Sequence, residues 1–228
     1  MERELHPGCF SLRYVTGPGA GHAPARALTF RMPVSTIFVE PHAHRALRWS
    51  WHPHAHGTPT DPVAQAWLAA ALGVAPERLN LGREPRGRPF LGPPHGDYDC
   101  SWSHSGDGLL IALGHGVQLG VDCERVRPRP RALDLARRFF TLPEHDWLAG
   151  FESGATRDQA FLRQWCAKEA VLKAHGHGLS FGLEKLRFAE TDGALVLVEC
   201  DAGLGNADDW SLHEFEPAAG YVAALAWR

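Results

Sequence analysis

Apolar and polar positions alternate over Tyr98–Trp102, Leu109–Leu113 is a short apolar run, and the two read as strands joined tightly through Ser103-His104-Ser105-Gly106-Asp107-Gly108. A third strand is predicted over Val117–Glu124, with Val121 and Cys123 on one face and Asp122 and Glu124 on the other. Helical recurrence takes over next. Leu133, Ala136 and Phe140 predict a helix over Arg131–Phe140, and Thr141-x-x-Glu144 has the capping-box form that opens another. The longest predicted helix is Arg157–His175, with Thr156 and Gln159 at capping-box spacing, Phe161, Trp165, Lys168 and Leu172 on one face, and Gly176 and Gly178 as the stop. Strands follow at Leu186–Glu190, Ala194–Glu199 and Tyr221–Trp227. Nearer the start, Val63–Leu72 predicts a short helix with Asp61 as cap and Pro62 at its first position. The first sixty residues, dense in Pro, Gly and His, predict only a strand at Thr36–Glu40 and a loop at Trp51–Gly57. Arg83-Glu84-Pro85-Arg86-Gly87-Arg88-Pro89 reads as a basic, turn-forming loop. The content is α+β in both halves of the chain, with no residue-level repeat.

Composition narrows the class. With 228 residues, 44% hydrophobic and 21% charged, the chain can build a core without disulfides or a structural metal. A net charge of −3 supplies no overall field for nucleic acid or an anionic membrane, so an anionic ligand needs a local pocket. Five cysteines, without a C-x-x-C pair, fit a reducing compartment. No basic-then-apolar leader and no apolar stretch of the ~20 residues that span a bilayer are present, so a cytoplasmic location is expected.

Candidate chemistry lies in three places. On an extended strand Asp122 and Glu124 have Cα atoms roughly 6.6 Å apart, a span two acidic side chains can close around one hard divalent cation. In Trp165-Cys166-Ala167-Lys168-Glu169-Ala170-Val171-Leu172-Lys173, Glu169 offers a third carboxylate and Lys168 and Lys173 offer compact phosphate-binding charges. An ordinary surface Glu–Lys pair also accounts for that helix taken alone. Ser103-His104-Ser105 presents two hydroxyls and an imidazole suited to an anion, whereas a serine hydrolase is disfavoured by the absence of a G-x-S-x-G elbow. The histidines His42, His44, His52, His54 and His56 read as a solvated loop or an adventitious metal binder.

The order of these segments resembles a known family. G-R-P at Gly87–Pro89, S-W-S-H-S-G at Ser101–Gly106, G-V-D-C-E at Gly120–Glu124, R-F-F-T-L-P-E at Arg138–Glu144 and W-C-A-K-E-A-V-L-K at Trp165–Lys173 look like the 4′-phosphopantetheinyl transferase superfamily, of the long single-chain type. The resemblance covers roughly Leu79 to Phe188. It implies a pseudodimer of two α+β halves, 1–115 and 116–228, with the active site in the cleft between them. It also implies transfer of phosphopantetheine from coenzyme A to a serine of an apo acyl, peptidyl or aryl carrier protein, releasing adenosine 3′,5′-bisphosphate. By position, Asp122, Glu124 and Glu169 would hold Mg²⁺, with Mn²⁺ as the alternative, and Glu169, Lys173 and Asp122 would be catalytic. Lys168 and Lys173 would neutralise phosphate, while Ser103, His104, Arg83, Arg86, Gly87, Arg88 and Pro89 would hold the nucleotide end. A monomer of secondary metabolism or broad range is expected, binding neither nucleic acid nor membrane. The family's Arg-bearing helix that grips the 3′-phosphate has no match in the first sixty residues, where Arg45, Arg48 or His56 would substitute. The competing readings are a Mg²⁺-dependent phosphate-ester hydrolase and a coenzyme A-binding module that has lost the reaction.

Overall fold

A computed structural model describes residues 34–38 and 46–228, all within one compact unit, Val34–Arg228. Glu40, His42, His44 and Arg45 lie outside the described residues. The elements, in order, are β1 (Val34–Phe38), β2 (Ala46–Pro53), α1 (Asp61–Leu72), β3 (Leu81–Arg83), β4 (Pro89–Leu91), β5 (Tyr98–Ser105), β6 (Gly108–His115), β7 (Leu119–Arg125), α2 (Ala132–Phe139), α3 (Leu142–Ala149), α4 (Ala155–His175), β8 (Leu186–Thr191), β9 (Ala194–Cys200), β10 (Ser211–Phe215) and β11 (Tyr221–Trp227).

The fold is mixed α and β. An antiparallel sheet in the order β1-β2-β6-β5 carries Leu109, Ile111 and Leu113 on the face that packs under Ala64, Trp67 and Leu68 of α1. Its other face gives Leu47, Leu110 and Ala112 to a core shared with Leu119, Val121, Cys123, Ala223, Leu225 and Trp227 of the second sheet, β10-β11-β7. The far side of that second sheet, with Ala224 and Ala226, is covered by α4. Four layers result: helix, sheet, sheet, helix.

Side chains stitch the two sheets along β5 and β7. The amides of Leu119, Val121 and Arg125 donate to Asp99 Oδ2, Ser101 Oγ and Ser105 Oγ at 2.8, 3.1 and 3.1 Å. Period-2 alternation puts Asp99, Ser101, Ser103 and Ser105 on this seam. Small oxygen-bearing side chains there complete a strand edge that would otherwise leave its amides unpaired. The Ser103–Ser105 segment is therefore strand rather than hairpin tip, and Gly106-Asp107 alone makes the turn.

Three other expectations change. Trp51–Pro53 ends β2 instead of forming a loop, because Trp51 packs edge-on against Tyr221 across the inter-sheet core. Helix α4 opens at Gly154, one residue before Ala155, so Thr156 lies inside the helix and forms no capping box. Thr60 occupies the N-cap position of α1 without a side-chain cap hydrogen bond, and Asp61 is the first helical residue. Strands β3, β4 and β10 carried too few alternating positions to be predicted.

The approach of α4 to β7 depends on Gly120. A methyl group there would overlap the Ala170 carbonyl and the Ala174 amide, both backbone atoms that cannot move independently of α4. Gly120→Ala is therefore expected to destabilise the fold by about 1–3 kcal/mol, the usual cost of overpacking. Urea denaturation checks this, and an unchanged midpoint would contradict the contact.

Candidate active site

Asp122 and Glu124 alternate onto the face of β7 turned towards α4, and Glu169 and Lys173 occupy successive turns of α4. Asp122 is buried, 5% exposed, yet its Oδ1 accepts from Ser103 Oγ at 2.6 Å and from Lys173 Nζ at 2.7 Å. Its Oδ2 is buried with no hydrogen-bond partner. Glu124 Oε2 accepts from Ser105 Oγ at 2.8 Å and from Arg129 Nη2 at 3.0 Å.

Glu169 is buried at 8% exposure. Burial and the neighbouring charge of Asp122, with a further contribution from Glu124, raise its carboxyl to about 7 against the opposing pull of Lys173. Burial works against the Lys173 ammonium, but Asp122 and Glu169 outweigh it and hold the pKa above the ordinary lysine value. The acids thus share one electrostatic environment, although they come from segments far apart in the chain. Among the described residues no three His, Cys, Asp or Glu side chains stand close enough to hold a metal ion as they are. The donor set nevertheless suits a hard cation: its groups are all carboxylate oxygens, and one buried oxygen lacks a partner.

Lys168 is placed elsewhere, and the expected phosphate contact is replaced by a core role. It is fully buried, 0% exposed, and its ammonium pairs with Glu144 at 2.8 Å, donates to the Leu183 carbonyl at 2.8 Å and also donates to the Leu186 carbonyl. All three donors are used, with the ring of Phe140 alongside at 5.0 Å. The reason is geometric: one residue along a helix turns the side chain by ~100°, so Lys168 faces the core while Glu169 faces β7. Glu144 closes its capping box with Thr141 and also accepts from the Phe188 amide.

The basic loop is likewise drawn inward. Arg88 pairs with Asp99 and donates from Nε to the carbonyls of Lys173 and Ala174, tying the loop to the end of α4. Arg83 pairs with Asp61, donates to the Gly87 carbonyl and lies over Trp102. Arg86 and Gly87 are exposed, and Pro89 begins β4. His104 is exposed on the opposite face of β5 from Ser103, with His54 6.1 Å away between ring centres. Arg48 donates to the Ala71 carbonyl, and His56 is exposed. Cys123 and Cys166 are buried, and burial pushes the Cys123 thiol to about 12 and that of Cys166 well above its ordinary value, which suits packing and not nucleophilic chemistry.

One site residue escaped sequence reasoning: Arg129, in a proline-bearing linker, carried no periodic signal. Ser105, expected to offer its hydroxyl to an anionic ligand, donates instead to Glu124, at the same two-residue spacing from Ser103 that Glu124 has from Asp122.

The profile of the 4′-phosphopantetheinyl transferase superfamily matches residues 118–226, from the start of β7 through β11. The 4′-phosphopantetheinyl transferase HetI of Nostoc sp. is 34% identical over 166 residues, covering 72% of this chain and 67% of the relative. The 4′-phosphopantetheinyl transferase of Bacillus subtilis is 29% identical over 143 residues, 63% of this chain and 62% of the relative. The human L-aminoadipate-semialdehyde dehydrogenase-phosphopantetheinyl transferase is 28% identical over 130 residues, 53% and 42% respectively. The matches thus span from about two fifths to two thirds of these relatives' lengths. Identity at this level, over so much of the Nostoc protein, places the chain in the 4′-phosphopantetheinyl transferase superfamily.

Proposed function

We propose that this enzyme, a 4′-phosphopantetheinyl transferase, moves the phosphopantetheine arm of coenzyme A onto a serine hydroxyl of an apo carrier protein, with Glu169 as proton acceptor. Asp122, Glu124 and Glu169 are the residues that would hold Mg²⁺ or Mn²⁺. When bound, such a cation supplies neutralising charge at the diphosphate. The observation that carries this reading is the convergence of Asp122 and Glu124, on the face of β7 turned towards α4, with Glu169 and Lys173 on successive turns of α4, Lys173 Nζ lying 2.7 Å from Asp122 Oδ1. A carboxylate so placed beside a reacting hydroxyl is a suitable acceptor for its proton.

The serine oxygen forms a bond to the β-phosphorus of coenzyme A, and the bond from that phosphorus to the bridging oxygen breaks. Adenosine 3′,5′-bisphosphate leaves with the electron pair, and the serine proton passes to Glu169. Lys173, fixed against Asp122, offers its charge to the departing phosphate oxygens. Ser103 orients Asp122 through its 2.6 Å hydrogen bond. The exposed His104 and Arg86 are assigned to the nucleotide end, whereas Arg88 supports the end of α4. The proposed division into pseudodimer halves, 1–115 and 116–228, is supported by the break between β6, which ends at His115, and β7, which starts at Leu119.

Intact-mass spectrometry of an apo carrier protein incubated with the chain, coenzyme A and Mg²⁺ tests the reading. The expected result is one phosphopantetheine adduct on the carrier serine. Absence of an adduct on acyl, peptidyl and aryl carriers alike would overturn it.

A further inference from the structure

Asp122 and Glu124 are held by two copies of one arrangement, displaced by two residues along the strand. Ser103 and Lys173 share an oxygen of Asp122 at 2.6 and 2.7 Å, and Ser105 and Arg129 share an oxygen of Glu124 at 2.8 and 3.0 Å. The two cations differ in their mounting. Lys173 is carried by α4, while Arg129 sits in the linker between β7 and α2, whose backbone is fixed where the Arg129 amide donates to Asp158 Oδ2 at 2.9 Å. That anchor uses main chain only, so the guanidinium can leave Glu124 without releasing the linker.

The Arg129–Glu124 pair is also single-pronged. Only Nη2 reaches the carboxylate, and Nε is buried without a partner. A two-pronged guanidinium–carboxylate contact is the strong form; a single prong is more easily exchanged for another cation. The oxygen that Arg129 holds belongs to an acid assigned above to the divalent ion. We propose that Arg129 is a resident counter-ion that competes with the divalent cation for Glu124, a positioning residue that must yield Glu124 before the three acids close around the ion. This inference rests on the reading of Asp122, Glu124 and Glu169 as the cation site.

The test is a Mn²⁺ titration of the full chain without coenzyme A, following the free ion by electron paramagnetic resonance. Arg129→Ala is expected to bind Mn²⁺ about tenfold more tightly than the unaltered chain, the fold-change given by ~1.4 kcal/mol of lost competition. Arg129→Gln, a shorter side chain that keeps a neutral amide donor without the charge, is expected to tighten binding in the same direction. Arg131→Ala removes an equal charge two residues away, where Arg131 is exposed and faces Asp134, and is expected to stay within about twofold. Unchanged or weaker Mn²⁺ binding by both Arg129 variants would overturn the inference while leaving the cation site intact. Failure of the unaltered chain to bind Mn²⁺ at all would overturn the cation reading, and the inference with it.

Discussion

Glu169→Gln is expected to lower the rate of carrier modification by about 10²–10⁴-fold, the range for loss of a general base, and to increase stability at the same time. The stability effect follows from titration. An unfolded Glu ionises near 4.5, whereas the folded Glu169 carboxyl holds its proton to about 7. Between these values the unfolded chain has lost a proton that the folded chain keeps, so ionisation favours unfolding and stability falls as pH rises through the window. Glutamine cannot ionise and removes that penalty. Without divalent ions, the variant and the unaltered chain should be equally stable below pH 4.5, and the variant about 3 kcal/mol more stable at pH 8. Urea denaturation at the two pH values, together with intact-mass kinetics, checks both halves. Turnover retained in the variant would remove Glu169 from the chemistry, and parallel stability profiles would show that it is not held protonated by its surroundings.

Lys168→Ala is expected to cost about 3–5 kcal/mol of folding stability, the range for leaving one partner of a buried ion pair uncompensated. The carboxylate left behind is Glu144, and the Leu183 and Leu186 carbonyls lose a donor as well. Burial holds the Lys168 ammonium below the ordinary lysine value despite Glu144, as expected of a charge sunk in a core. Lys168→Met combined with Glu144→Gln leaves no unpaired charge and keeps a side chain able to cap Thr141, so it should recover at least half of the loss. Equilibrium denaturation of the two variants decides the matter. A loss under about 1 kcal/mol for Lys168→Ala, with a raised KM for coenzyme A, would instead return Lys168 to the phosphate contact first expected of it.

The two predictions concern adjacent residues with opposite surroundings, and they mark how far the sequence was legible. Alternation along Val117–Glu124 was enough to put Asp122 and Glu124 on one face, and helical spacing was enough to put Glu169 and Lys173 on one side of a long helix. The Thr141–Glu144 capping box, the strands β8, β9 and β11 and the family resemblance were equally local. Periodicity reports which residues of one element share a face, because that depends only on the backbone geometry of the element itself.

What lies opposite the face is another question, and only the tertiary structure answered it. The sequence does not tell which of Lys168 and Lys173 meets Asp122 at the candidate site and which meets Glu144 in a core. It does not tell that Asp99, Ser101 and Ser105 complete the edge of β7, or that Arg88 and Arg83 bind the protein's own groups. Nor does it reveal Arg129, brought to Glu124 by a linker without periodicity. Each depends on contacts between segments that meet only after folding, such as α4 against the glycine of β7, where absence of one methyl group sets the approach that brings Glu169 and Lys173 to Asp122. Local pattern determined the chemistry available on each element; close packing between elements decided which of those groups face one another.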